Sequence, residues 1–162
     1  VIVSTARIPI GRAYRGAFNI TTAPTLGGHA IKHAVERAGI DDAEVEDVIM
    51  GRALQQGTTS MNIGCQAALA GGLPVTVSGM SLDRQCSSGL MAIAIAAKQI
   101  IHDGTDVTIG AGLESISLVQ NEHINTHMAV DKNLAGMHQN IYMPMLQTAE
   151  IVATRYDISS ES

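Results

Sequence analysis

Charge is scarce in this sequence: Asp, Glu, Lys and Arg make up 15% of its 162 residues, while 46% are hydrophobic. Average soluble domains carry about 25% charged residues. So little polar cover implies apolar faces meant for another domain or subunit. A basic cluster is missing as well. The formal net charge is -5 and the Lys and Arg residues are scattered singly, which argues against nucleic acid or an anionic membrane as partner. No apolar run approaches the roughly 18 residues of a membrane-spanning helix. Cysteine numbers two, too few for a disulfide framework, so a reducing compartment is expected, cytoplasmic or an organelle matrix. The longest acidic stretch, Asp41 to Asp47, reads as a solvated loop.

What is present is alternation. Val1 to Ser4 predicts a strand, broken off by the loop from Arg7 to Gly16. Leu26, Ala30, Ala34 and Ala38, with Ile31 and Val35, repeat at helical spacing and stop at Gly39, a residue suited to a helix C-cap. Strand Val48-Ile49-Met50, helix Asn62 to Ala70, strand Val75 to Leu82, helix Ser87 to His102 and strand Val107-Thr108-Ile109 follow. Continuous apolar strands alternating with helices predict an α/β fold with a mixed, mainly parallel sheet flanked by helices. The Ser87 to His102 helix is apolar on every side and is expected between layers.

From Ser115 the texture changes: Asn, His, Met and Gln become frequent until a final helix at Met145 to Tyr156. The expected division is a domain at 1–114 and a partial loop domain at 115–162. Both ends read as cut. Val1 opens a strand with no initiator methionine, and Ile158-Ser159-Ser160-Glu161-Ser162 reads as a staple residue and N-cap serine opening a helix that does not follow. A fragment is therefore expected.

The string Asp83-Arg84-Gln85-Cys86-Ser87-Ser88-Gly89 joins a strand to an apolar helix. A thiol at a helix N-terminus meets partial positive charge and unpaired N–H groups, which favour thiolate over thiol. Ser87, Ser88 and Gly89 leave room for a substrate near the backbone, and the Cys86 N–H is placed to act as an oxyanion donor, as in other strand-to-helix nucleophile turns. A small buried packing residue is the plain alternative.

Cys86-Ser87-Ser88-Gly89-Leu90 and its Ala- and Ile-rich helix resemble the acyl-carrying cysteine segment of the thiolases, enzymes that make and break the carbon-carbon bond of 3-ketoacyl-CoA. The likeness continues in family order. It takes in Val1 to Gly11, Val48-Ile49-Met50-Gly51 with Leu54-Gln55, Gln66 to Leu69 with Gly72-Leu73-Pro74, Gly110 to Ser115, and Thr148-Ala149-Glu150. The resemblance implies the N-terminal half of a thiolase, with Cys86 as catalytic nucleophile and Met145 lining the acyl pocket. It further implies coenzyme A thioesters as substrates, no bound cofactor, and assembly as a homodimer or homotetramer, with contacts sought in Leu118 to Tyr142.

Thiolases also use a histidine from Gly-His-Pro, a cysteine from Cys-x-Gly and an asparagine that orients a water; none of these segments occurs in this chain, and they belong to the second half of the family's sequence. Other departures are local. The family commonly has Gly-Gly-Met-Glu-Ser where Ala111 to Ser115 stands and often has arginine at Cys65, which leaves Cys65 a structural thiol. Pro144-Met145 looks more like the degradative 3-ketoacyl-CoA thiolases. Two other readings stay open: a ketoacyl synthase type of condensing enzyme, and a non-catalytic lipid- or CoA-binding protein.

The remaining motifs are thin. His123, His127 and His138 lack a Cys or carboxylate cluster at ligand spacing, so no metal is expected; His29 and His33 read as surface or subunit-contact residues. Gly110-Ala111-Gly112 is a dinucleotide fingerprint short of its third glycine and acidic residue, and Gly11 to Gly16 has phosphate-loop spacing without Lys-Ser/Thr.

Overall fold

Three consecutive apolar residues in a strand must bury both faces of a sheet, and Val48-Ile49-Met50 does so. The computed structural model describes residues 1–159. Its sheet has strands β1 (Asp47–Gly51), β2 (Ser78–Leu82) and β3 (Thr108–Gly112) in the order β2-β1-β3. Both pairings are parallel, with Val48 opposite Gly79 and Ile109, and Met50 opposite Ser81 and Ala111. The expected mixed sheet is thus wholly parallel among the described strands.

Side-chain alternation sends Val48 and Met50 to one face, where they pack with Ile31 and Val35 of helix α1 (Ala23–Ala38) and Ile63 and Ala67 of helix α2 (Ile63–Ala70). Ile49 points to the other face, against Ala92 and Ala96 of helix α3 (Ser88–Lys98). Helices therefore cover both faces, as the α/β reading requires. Their ends follow local rules. Gly39 caps α1 in the left-handed conformation (φ 69°) with its N–H on Val35 and Glu36 carbonyls, and the Asn62 Oδ1 accepts the Cys65 N–H at 3.1 Å to start α2.

Two expectations change. Val1 to Ser4 is unpaired and its apolar residues are exposed; a strand exists only with a ladder partner, and this segment joins neither outer edge of the sheet. The Arg37 Nη1 of α1 donates to the carbonyl of Thr5, just after this segment, at 2.9 Å. Helix α3, expected to be buried all round, turns Ala92 and Ala96 to the sheet and leaves Leu90 73% and Ile93 45% exposed. It ends at Lys98 and continues as one π-helical turn, Gln99–Asp103, closed by Gly104.

The chain packs as two compact units, Val1–Ile124 and the residues from Asn125 onward. The first runs past the change in composition at Ser115. Ser115 and Val119 are buried around the short helix α4 (Ile116–Val119); the Tyr14 N–H donates to Ser117 Oγ at 2.8 Å, and its hydroxyl to the Gln120 carbonyl at 2.7 Å. The second unit holds helices α5 (Lys132–Met137) and α6 (Met145–Tyr156). Ile158 and Ser159 follow α6, and the rest of the expected helix start, Ser160 to Ser162, lies outside the described residues.

Candidate active site

The turn between β2 and α3 is fixed by its own short polar side chains. The Asp83 Oδ1 accepts the Gln85 N–H at 2.6 Å, and Gln85 takes a positive φ of 48°, uncommon for a residue other than glycine. Ser87 and Ser88 N–H groups then donate to the Arg84 and Gln85 carbonyls, each at 3.0 Å. The Ser88 Oγ, on a residue 3% exposed, accepts the Arg84 N–H at 2.9 Å and donates toward the Gln85 and Arg52 carbonyls at 2.6 and 3.2 Å.

Cys86 projects from this turn as a free, exposed thiol. It precedes Ser87, the N-cap of α3. The thiol therefore stands one position before the N-cap, at the N-terminal end of α3. Helix α3 is seated closely on the sheet beneath it. A methyl group on Gly51 would overlap the Ser88 backbone, and one on Gly112 would come within 2.8 Å of the Gly89 Cα. Three contiguous strands thus end beside Cys86: β1 at Gly51, β2 at Leu82 and β3 at Gly112. The carboxyl ends of parallel strands are where open α/β sheets form ligand crevices.

Two charged residues lie in the same region. The Glu114 Oε2 accepts the Ala53 and Leu54 N–H groups at 3.0 and 3.2 Å, tying the segment after β1 to the end of β3. Arg52, directly after β1, is 5% exposed, and its Nη2 donates to the Met61 carbonyl at 2.8 Å. Burial lowers its pKa, and the charges of Asp83 and Glu114 oppose that shift. Sequence reasoning passed over Arg52, although a charged residue immediately after a fully apolar strand was a signal.

The other sequence candidates lie on other elements. Cys65 is half-buried in α2. Met145 is the first residue of α6 in the second unit and is 73% exposed. The His29 and His33 rings meet edge to face at 4.4 Å, and the His33 Nδ1 lies 3.0 Å from Glu36 Oε2. Among the described residues no group of three or more His, Cys, Asp or Glu is arranged to hold a metal ion. An apolar cavity of about 960 Å³ separates the N-terminal segment from α1, α3 and β3, and Cys86 does not line it.

A parallel sheet covered on both faces, with an exposed cysteine on a strand-to-helix turn at its carboxyl end, defines an α/β protein with a layered helix-sheet-helix fold. Residues 1–162 match the family model described as thiolase, N-terminal domain, and the chain belongs to that family. It is 36% identical to a 3-ketoacyl-CoA thiolase of Bacillus subtilis, over 99% of this chain and 41% of that protein. It is also 40% identical to an acetyl-CoA acetyltransferase of Rhizobium meliloti (73% and 30% covered) and 34% identical to a peroxisomal 3-ketoacyl-CoA thiolase of Arabidopsis thaliana (99% and 35%). The chain thus spans 30% to 41% of the length of these relatives.

Proposed function

We propose that this chain supplies the acyl-accepting portion of an acyl-CoA acyltransferase of the thiolase type. The observation that carries the reading is the exposed Cys86 thiol on the turn between β2 and α3, in a thiolase N-terminal domain. In the cleavage direction, the Cys86 thiolate adds to the 3-keto carbon of a 3-ketoacyl-CoA. The C2–C3 bond then breaks, its electron pair leaves on the acetyl-CoA fragment, and a proton is added there. The shortened acyl group remains as a thioester on Cys86 until a CoA thiolate attacks it and restores the Cys86 thiolate. Proton transfer falls to groups outside these 162 residues. Condensation is the same path reversed.

Met145 is assigned to the acyl pocket, where an adaptable thioether suits a variable aliphatic chain. Assembly as a homodimer or homotetramer belongs to the same reading and is supported by the exposed Leu90, Ile101 and Ile141. So does a cytoplasmic or organelle-matrix location; among the described residues no helix is long and apolar enough to cross a membrane.

The decisive experiment uses the full-length protein with radiolabelled acetyl-CoA. Label is expected on the Cys86 peptide, and Cys86→Ser is expected to lose both label and turnover. A Cys86→Ser protein that still turns over removes Cys86 from the nucleophile role. Iodoacetamide separates an enzyme from a binding protein: Cys86 should react much faster than Cys65, and equal slow labelling would favour a non-catalytic protein.

A further inference from the structure

The Gln85 carbonyl and the Cys86 N–H belong to one peptide unit, which is planar and trans, so whatever fixes the carbonyl also aims the N–H. Ser88 fixes that carbonyl twice. Its Oγ, on a buried residue, lies 2.6 Å from the oxygen, and its N–H donates to it at 3.0 Å. Gln85 itself sits in the left-handed region, at a φ of 48°, with its N–H held by the Asp83 Oδ1 at 2.6 Å. A residue other than glycine stays there only where its surroundings determine the conformation more than once.

The same hydroxyl reaches beyond Gln85. It accepts the Arg84 N–H at 2.9 Å, so it bonds to both residues ahead of Cys86, and its proton has a second acceptor in the Arg52 carbonyl at 3.2 Å. Arg52 follows β1 directly, and its N–H donates at 3.0 Å to the carbonyl of Leu82, the last residue of β2. The backbone of one residue beside the central strand therefore meets the chain before the turn, at Leu82, and beyond Cys86, at Ser88. A methyl group in place of the hydroxymethyl would leave the three Oγ bonds unmade. The Gln85–Cys86 peptide would then rest on the Ser88 N–H and on Asp83.

We propose that Ser88 is a positioning residue for Cys86: its hydroxyl holds the peptide plane that carries the Cys86 N–H, and so keeps that donor and the thiol in one fixed relation. The effect on turnover rests on the nucleophile reading of Cys86, in which this N–H faces the acyl oxygen as charge develops there; the effect on the thiol does not. The hydroxyl, rather than the size of the side chain, is the property required. Threonine should therefore serve and alanine should not.

The test uses the full-length protein carrying Ser88→Ala or Ser88→Thr, with Gly104→Ala, at a positive-φ position with open space around it, as a control for lost stability alone. Iodoacetamide alkylation is followed at Cys86 with Cys65 as internal reference, beside kcat and KM for acetoacetyl-CoA. Ser88→Ala is expected to slow Cys86 alkylation relative to Cys65, and to lower kcat, by about tenfold with KM little changed, the scale on which small misplacements act. Ser88→Thr should recover most of both losses, and Gly104→Ala should show neither. Unchanged Cys86 alkylation in Ser88→Ala overturns the proposal, as does equal slowing in Gly104→Ala or a folded Ser88→Thr protein that reacts as slowly as Ser88→Ala. Should the added methyl keep Ser88→Thr from folding, the comparison of Ser88→Ala with Gly104→Ala decides: slowing confined to Ser88→Ala supports the proposal and slowing in both overturns it. Turnover by Cys86→Ser would sink the nucleophile reading alone, since the alkylation comparison needs no activity.

Discussion

Ser88 does more to hold the turn than its size suggests, because its hydroxyl bonds both to Arg84 and Gln85 ahead of Cys86 and to the Arg52 carbonyl after β1. Removing it takes this partner from the Arg84 N–H and from the carbonyl of the buried Arg52, while the Gln85 carbonyl keeps the Ser88 N–H, a loss of about 1–3 kcal/mol for a buried group left unpaired. Ser88→Ala in the full-length protein is therefore expected to lower the urea midpoint with an unchanged slope, while Ser87→Ala, at an exposed position without a side-chain cap bond, should leave it in place. Equal effects of the two substitutions would show that the Ser88 network carries no special weight. The residue scale is also where legibility ran out. Sequence order marked Cys86 and set Cys65 aside, but the Ser88 hydroxyl's bond to the Arg52 carbonyl joins segments 36 positions apart, and no local pattern records it.

At the scale of elements, glycine governs how closely α3 approaches the sheet. A methyl on Gly51 meets the Ser88 backbone, which cannot swing aside as a side chain can, so Gly51→Ala should displace the first turn of α3. Overpacking of this kind costs about 1–3 kcal/mol, and because the displaced turn bears Cys86, slower alkylation should accompany the lower stability. Gly104→Ala is the comparison. Its φ of 77° makes alanine unfavourable by about 1–2 kcal/mol, but open space surrounds it, so Cys86 reactivity should stay as it was. Reactivity loss in both variants would break the link between Gly51 and the site. Helix and strand positions were legible because periodicity, the Gly39 and Asn62 caps and the apolar run Val48-Ile49-Met50 act locally. The Val1 to Ser4 strand was misread because strand propensity does not supply a ladder partner. Burial of α3 on every side was misread because composition counts apolar residues without saying what covers them.

For the whole molecule, the low charge fraction and the exposed Leu90, Ile101 and Ile2 point the same way, toward apolar surface that another domain or subunit is expected to cover. Leu90 lies on α3, the helix that follows Cys86, and Ile101 on the π-helical turn that continues it, so what covers them also braces the site. The 162-residue chain by itself is expected to self-associate in sedimentation, to bind a hydrophobic dye such as ANS, and to show no thiolysis of acetoacetyl-CoA, because its sequence lacks the Gly-His-Pro and Cys-x-Gly segments of the family. Leu90→Lys with Ile101→Glu should reduce both association and dye binding without changing the circular dichroism, since neither side chain is part of the buried core. In the full-length protein the same pair should cost stability or assembly, because there the face is expected to be covered. A double variant that leaves full-length stability, assembly and turnover intact would show that the α3 face stays open to solvent, and the scarcity of charge would then need another cause.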